Sequence, residues 1–541
     1  MQADLIIHDG LIRTMDDATP TAEAVVVSNG KIMAVGSNAD MLDLAGSAAC
    51  KINLNGKLLL PGFQDTHMHF QLSSNEVRLC AALAEYTTAE QVKKAMTEFY
   101  VANPDAEVIW GSNWNAGMLN FSELTRQSLD EICADKPIIL IASDHHNGWV
   151  NTAALKMLGM MDCPPETYGD HIVREADGTP SGLLFESAAF HLMAVLESRP
   201  ASEIREAMKW GCAELNKVGF TGVLDALVTP QTMDLYHQAE QANELTLRVA
   251  STALVKPDGD MGQIEMLKEM RAKYNSPMVK THSAKFFIDG VMENKTALLL
   301  EPYADGTVAP ALFEKEFFED MIVACDREKF QVHVHGLGDG AARMTLDAFE
   351  KARKVNGEWN SLHQIAHLQL VDPADVPRFK ELGVVANFQP LWACMEPTVQ
   401  TTCIDQIGPD RSEWIYPLAA IIDTGAPYAI SSDWCVSTYE PMPIMQTALT
   451  RQDPWVGRYA PVLTPQHRID IDTAVKGYTI RAAEAAWNSD IAGSITPGKC
   501  ADMVIFDQDL YEIDPYDLIN VKTMATFLEG NEVYRNESFD G

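Results

Sequence analysis

Eight short, apolar, β-rich runs recur near residues 60–66, 220–225, 247–254, 283–288, 331–335, 362–367, 384–388 and 428–432. Amphipathic helical stretches separate most of them, among them Ser202 to Lys217, Phe317 to Glu328 and Ala341 to Val355. Strand alternating with helix implies crossover connections and a parallel sheet. Eight such units predict an α/β fold, a (β/α)8 TIM-type barrel, here over residues 58–484. The segment 74–200 is too long for one connection and holds a strand of its own, Pro137 to Ser143. It is expected to be an insertion after the first strand, standing over the barrel mouth as a lid.

The chain ends read differently. Near the N-terminus, Ala24-Val25-Val26-Val27 and Lys31-Ile32-Met33-Ala34-Val35 flank Asn29-Gly30, a strong hairpin signal. Short β runs return at Ala501 to Asp507 and Lys522 to Asn531. Neither end has enough strands to stand alone. Residues 1–57 and 485–541 are therefore expected to form one composite β-sandwich.

The 541 residues carry a net charge of −35. Such a surface opposes nucleic acid and anionic membranes, both polyanions. No run reaches the ~18 apolar residues of a membrane span, and the first residues show no basic start followed by a long apolar core, so no secretory signal is expected. Ten scattered cysteines without a Cys-x-x-Cys fit reduced thiols in a cytoplasmic protein.

The chemistry begins at Leu60-Pro61-Gly62-Phe63-Gln64-Asp65-Thr66-His67-Met68-His69. In an extended strand residues i and i+2 share a face, so His67 and His69 would project side by side, as two imidazoles on one metal must. Alone, the pair reads as an ordinary strand end. Barrel active sites gather at the C-terminal ends of the strands, and the other strands place polar residues there. Lys285 lies in the fourth run, His333 and His335 in the fifth, His363 and His367 in the sixth, and Asp433 follows the eighth. Each has a plainer reading: a lysine stem along apolar surface, a satisfied core histidine, a helix-capping aspartate. Their convergence points instead to a divalent metal. Nitrogen and oxygen donors without thiolates favour zinc.

These residues resemble the amidohydrolase superfamily. The carriers are His67-Met68-His69 after Leu60-Pro61-Gly62-Phe63, then Lys285, His335, His367 and Asp433 in that order, and Gly493 to Lys499 followed by Ala501-Asp502. Further motifs resemble the YtcJ-like branch (amidohydrolase 3 type), which includes N-substituted formamide deformylases. They are His146-Asn147-Gly148-Trp149-Val150-Asn151, Asp177 to Gly182, Asp289-Gly290-Val291 and His335-Gly336-Leu337-Gly338-Asp339. The resemblance implies one or two metal ions, with His67 and His69 on one and His335 and His367 on the other. It implies that Lys285 can be carbamylated into a bridging carboxylate, and that Asp433 binds metal and handles the proton of the attacking water. Spacing alone leaves His333 and His335 both open as ligands, and the family pattern selects His335. On the sixth run His363 and His367 share a face, and the later one lies nearer the mouth. Cys435 stands where the family commonly has proline.

Substrate contacts are expected from Trp110, Trp114, His146, Trp149 and Glu186 in the insertion and from Gln389 and Trp392 after the seventh strand, while Arg451 is open to either a substrate carboxylate or a structural aspartate. For each tryptophan, packing within the protein competes with substrate enclosure. The expected function is metal-dependent hydrolysis of a C–N bond, in an amide, N-formyl or cyclic amide small molecule. An ester or lactone hydrolase, or a non-catalytic scaffold of the same fold, are the alternatives. A homodimer is expected, since large barrels of this kind often pair.

Overall fold

The computed structural model describes residues 2–115, 120–197, 199–396 and 399–541. Eight strands form one parallel sheet in sequence order: β1 (Phe63–Met68), β2 (Phe220–Val228), β3 (Arg248–Leu254), β4 (Val279–Phe287), β5 (Gln331–Gly336), β6 (Gln364–His367), β7 (Val385–Phe388) and β8 (Tyr428–Ile430). β4 and β5 are buried along nearly their whole length. Strands covered on both faces require continuous apolar runs, so the buried polar residues they carry stand out.

Helices fill the crossovers. Thr229 caps the helix Pro230–Gln241 with a reciprocal side-chain and backbone exchange with Thr232, which satisfies backbone N–H groups that the first turn leaves open. The helix Asp339–Asn356 buries Ala341, Ala342, Thr345, Leu346, Ala348, Phe349 and Ala352, the apolar stripe of a 3.6-residue period, and stops at Gly357.

Between β8 and β1 the described residues form no strand ladder. Hydrogen bonds join these strands instead. The Asp433 N–H donates to the His67 carbonyl at 2.8 Å, the Ser432 N–H donates to Asp65 Oδ2 at 2.9 Å, and the Thr66 hydroxyl donates to the Ile430 carbonyl at 3.4 Å. The seam of the barrel therefore runs through the residues that the sequence marks as chemical.

The two chain ends meet in one sheet. Leu58–Pro61 pairs antiparallel with Met503–Phe506 and parallel with Leu11–Arg13. A second sheet holds Leu5–His8, Ala24–Ser28, Lys31–Gly36 and Cys50–Asn53. Its hairpin turns through Asn29 and Gly30, both at positive φ. Both sheets feed one apolar cluster that includes Ile7, Val25, Leu59, Met503, Ile505 and Phe527. Arg248, at the start of β3, grips Asp502 with two nitrogens at 2.7 and 3.2 Å, a buried bidentate pair that anchors the C-terminal sheet to the barrel.

Residues 69–211 and 434–438 form a second compact unit. Its sheet runs in the order Ile172–Arg174, Pro180–Phe185, Asn147–Val150, Ile138–Ala142, Ile109–Trp114, Ala81–Ala82. Ile139 and Ile141 enter one apolar cluster, while Ile138, Leu140 and Ala142 enter another. That period of two is what a strand covered on both faces requires. No helix among the described residues is long and apolar enough to cross a membrane.

Candidate metal centre

His67 lies near the end of β1, wholly buried. Its backbone N–H donates to Asp65 Oδ1 at 3.0 Å, and its Nδ1 meets Nε2 of His333 at 2.7 Å. That contact fixes the ring and turns Nε2 towards Asp433 Oδ1, 3.4 Å away. Asp433 sits just beyond β8 at φ 56°, a left-handed conformation that a short polar residue tolerates better than most. The bond from its N–H to the His67 carbonyl draws its carboxylate to β1.

His335 and His367 complete the barrel cluster. The His335 Nδ1 is 3.4 Å from Asp289 Oδ1. Asp289 also accepts the backbone N–H groups of Leu298, Leu337 and Gly338 at 3.0–3.2 Å. A Cβ on Gly338 would stand 1.9 Å from the Leu298 carbonyl oxygen, so the His335-Gly336-Leu337-Gly338 turn needs glycine there. His367 is held at φ 80°, with Nδ1 2.9 Å from Gln389 Oε1. Its ring lies 4.5 Å from that of His335 and 4.8 Å from that of His67.

Lys285 is fully buried on β4. Its Nζ has no hydrogen-bond partner among the described residues and lies 4.6 Å from the centre of the Phe287 ring. Burial lowers its pKa to about 7, with the nearby Asp433 charge opposing the shift. Asp65 shifts the other way, to about 7, again through burial, against the hydrogen bonds it accepts. Two groups that are ordinarily ions thus sit close to their neutral forms beside four buried imidazoles, as low-dielectric burial demands.

A common pattern emerges from the rings. His67 and His367 each commit Nδ1 to a neighbour, His333 and Gln389. Nε2 is then the nitrogen these two could lend to a metal. Histidine ligands are oriented in this way by groups behind them. The donor set of imidazole nitrogens, a carboxylate and a deprotonatable lysine fits a divalent ion of the zinc type. His69 follows His67 by two residues and opens the second unit, where its N–H donates to the Trp434 carbonyl at 2.8 Å.

Other expected site residues fall elsewhere. His363 does not share a face with His367. It accepts the Val332 N–H, meets Asp326 at 3.1 Å and stacks on Phe349, because positive φ at Leu362 and His367 breaks the strand alternation. Arg451 is not a substrate contact. It is wholly buried, and its guanidinium donates to the carbonyls of Leu463, Tyr416 and Ile415 and to Thr464 Oγ1. Trp114 and Trp149 are fully buried in an apolar cluster of the second unit, and Trp149 donates its indole N–H to the Thr125 carbonyl at 2.9 Å. Trp110 packs into the cluster on the opposite face of that sheet. All three thus pack within the second unit.

Gln389 is buried and holds His367, donating in turn to Ser431 Oγ and Asn387 Oδ1. Trp392 stacks on His367 at 5.5 Å, nearly parallel. His146 and Glu186 make a buried pair at 2.7 Å. Burial works against protonation of His146, but the Glu186 charge and hydrogen bond outweigh it and raise the pKa. Asp65 escaped the sequence reading, although its place two residues before His67 on one strand face was the available signal.

The comparisons with known proteins agree with this geometry. The sequence profile of the Amidohydrolase family matches residues 51–534. An N-substituted formamide deformylase of Arthrobacter pascens is 26% identical over 545 residues, covering 97% of each chain. YtcJ of Bacillus subtilis is 27% identical over 539 residues, covering 98% of this chain and 99% of its own. A crystal structure of an uncharacterized metal-dependent hydrolase from Pyrococcus furiosus superposes with a TM-score of 0.73 at 22% identity, covering 94% of this chain and 99% of that one. The chain belongs to the amidohydrolase family. Its relatives place it in the YtcJ-like, amidohydrolase 3 type branch.

Proposed function

We propose that this chain is a metal-dependent hydrolase that cleaves a carbon–nitrogen bond of a small molecule, with water as the nucleophile. The observation that carries the reading is the shared commitment of Nδ1 on His67 and His367, which leaves Nε2 of each for a metal beside Asp433 and His335. The deformylase relative supports an amide, N-formyl or cyclic amide as the substrate class.

His67 and His69 would hold one ion and His335 and His367 another, with Asp433 a further ligand. A bound divalent ion lowers the pKa of water to about 7 and polarises a substrate carbonyl. Asp433 takes a proton from the attacking water and returns it to the departing nitrogen, a carboxylate acting first as base and then as acid. Its anchored backbone holds the carboxyl group in place for both transfers. Lys285, close to its neutral form, has the lone pair needed to attack CO2. The resulting carbamate offers two oxygens where an ammonium offers no acceptor. Gln389 and His333 keep the imidazoles in register, and the surrounding apolar strands limit water. Zinc is the ion that the nitrogen and oxygen donors suit best.

The test is a hydrolysis screen on metal-loaded protein, using N-formyl and N-acyl amines, cyclic imides and lactones, with metal content measured on the same samples. Amine release that stops on chelation and returns with metal is the expected result. Full activity in metal-free protein, or turnover of lactones alone, would overturn the proposal.

A further inference from the structure

A second set of ligand-type side chains converges inside the second unit. Glu76, His145 and Cys435 are each buried, and one ligand atom from each lies within 4.8 Å of the others. Glu76 Oε1 is 2.9 Å from His145 Nε2, Cys435 Sγ is 3.0 Å from Glu76 Oε2, and Sγ is 3.8 Å from the same Nε2. Glu76 comes from the helix Phe70–Leu79, His145 from the turn after Ile138–Ala142, and Cys435 from the segment 434–438. Three separate stretches of chain thus bring an oxygen, a nitrogen and a sulfur to one point.

The geometry weighs against a cysteine nucleophile. In a relay, the imidazole gives one ring nitrogen to the thiol and the other to the carboxylate. Here Nε2 faces both, and the carboxylate also takes the thiol directly. Donors that share a centre are arranged as ligands rather than as a chain of proton carriers. Tetrahedral zinc with ordinary bond lengths separates its ligand atoms by about 3.3–3.6 Å, so the oxygen–nitrogen separation at Oε1 and the nitrogen–sulfur separation each need to change by roughly 0.5 Å or less. Charge also balances. A carboxylate, a thiolate and a neutral imidazole around a divalent cation sum to zero, the state that burial favours.

We propose that Glu76, His145 and Cys435 form a transition-metal site of the kind zinc prefers, lying wholly within the second unit. The metal takes the place of the thiol proton, which leaves to solvent. It ties segment 434–438, which follows Asp433 in the chain, to the helix and turn that supply the other ligands. The proposed barrel ligands include no thiolate, so this site has a signature of its own.

The experiment is cobalt substitution in vivo, followed by absorption spectroscopy of the purified full chain. A thiolate-to-cobalt charge-transfer band in the near ultraviolet is the expected result. It should vanish in Cys435→Ser with a loss of one metal ion per chain, and persist in Cys80→Ala, the neighbouring thiol. Cys435→His should restore the metal count without the band. A wild-type protein that binds cobalt with no such band would overturn the proposal whatever the variants do. So would a band that survives Cys435→Ser. The readout needs no turnover, so it stands or falls apart from the hydrolase reading.

Discussion

The backbone N–H of Asp433 donates to the carbonyl of His67 at 2.8 Å, and the Asp433 carboxylate faces Nε2 of the same histidine at 3.4 Å. One residue thus fastens the last strand of the barrel to the first and presents its acid group to the same partner. Asp433→Asn separates these two jobs. Asparagine keeps the backbone bond and most of the shape, but cannot accept and return a proton. We expect kcat to fall about 10²–10⁴-fold, while the unfolding midpoint moves little. Steady-state kinetics and thermal unfolding on the same preparation check this, and unchanged kcat would remove the proton-transfer role.

His333 is not among the proposed metal ligands, yet it sets the ring of His67 through a 2.7 Å contact at Nδ1. Loss of a group that orients a histidine ligand typically weakens metal binding 10–100-fold. His333→Ala should therefore lower metal affinity by that order, measured by competition with a chelator. Asp433→Asn should leave the His67 orientation intact. A His333→Ala protein with native affinity would show that the strand alone orients His67.

Much of this was legible in the chain, and the limits have physical causes. The eight strands and their order follow from period and composition, because parallel barrel strands need continuous apolar runs. Strand ends in a barrel converge, so sequence position implied that His67, Asp433 and the histidines of the fifth and sixth runs lie near one another, while the choice of His335 over His333 came from the family resemblance. His363 was placed on the face of His367 because a regular strand alternates. Positive φ at Leu362 and His367 abolishes that rule, and no residue type there announces it. For Trp114 and Trp149 the sequence left packing and substrate enclosure both open, because an indole suits a core as well as a pocket. The grouping of Glu76, His145 and Cys435 depends on chain segments more than 60 residues apart, which no local pattern reveals.

Arg451 illustrates how burial decides a role. Its guanidinium donates to three backbone carbonyls and the Thr464 hydroxyl, with no carboxylate among these acceptors. Burial lowers its pKa to about 9. Arg451→Met keeps apolar bulk but leaves these buried acceptors unsatisfied, at about 1–3 kcal/mol each before relaxation. We expect a loss of stability of ~3 kcal/mol or more in denaturant unfolding. KM measured well below the new midpoint should stay within about twofold, since the side chain is spent on structure. A large rise in KM with unchanged stability would return Arg451 to the substrate.

Lys280, on β4 ahead of Lys285, gives a pH test of the fold. It donates to the Trp487 carbonyl at 2.5 Å, and burial lowers its pKa from 10.5 to about 8. Between those values the unfolded chain binds more protons at this position than the folded one, so stability rises with pH. The cost of burying the ammonium is fully present below about pH 8 and is relieved as the pH climbs towards 10.5. A shift of this size corresponds to about 3 kcal/mol across the window. Lys280→Met removes the titrating group while keeping the stem. The wild-type minus variant difference in unfolding free energy should therefore climb from pH 8 to 10.5 and stay flat from pH 6 to 7.5. A difference curve that is flat throughout would mean that Lys280 reaches water in the folded protein and that its amine is charged at little cost.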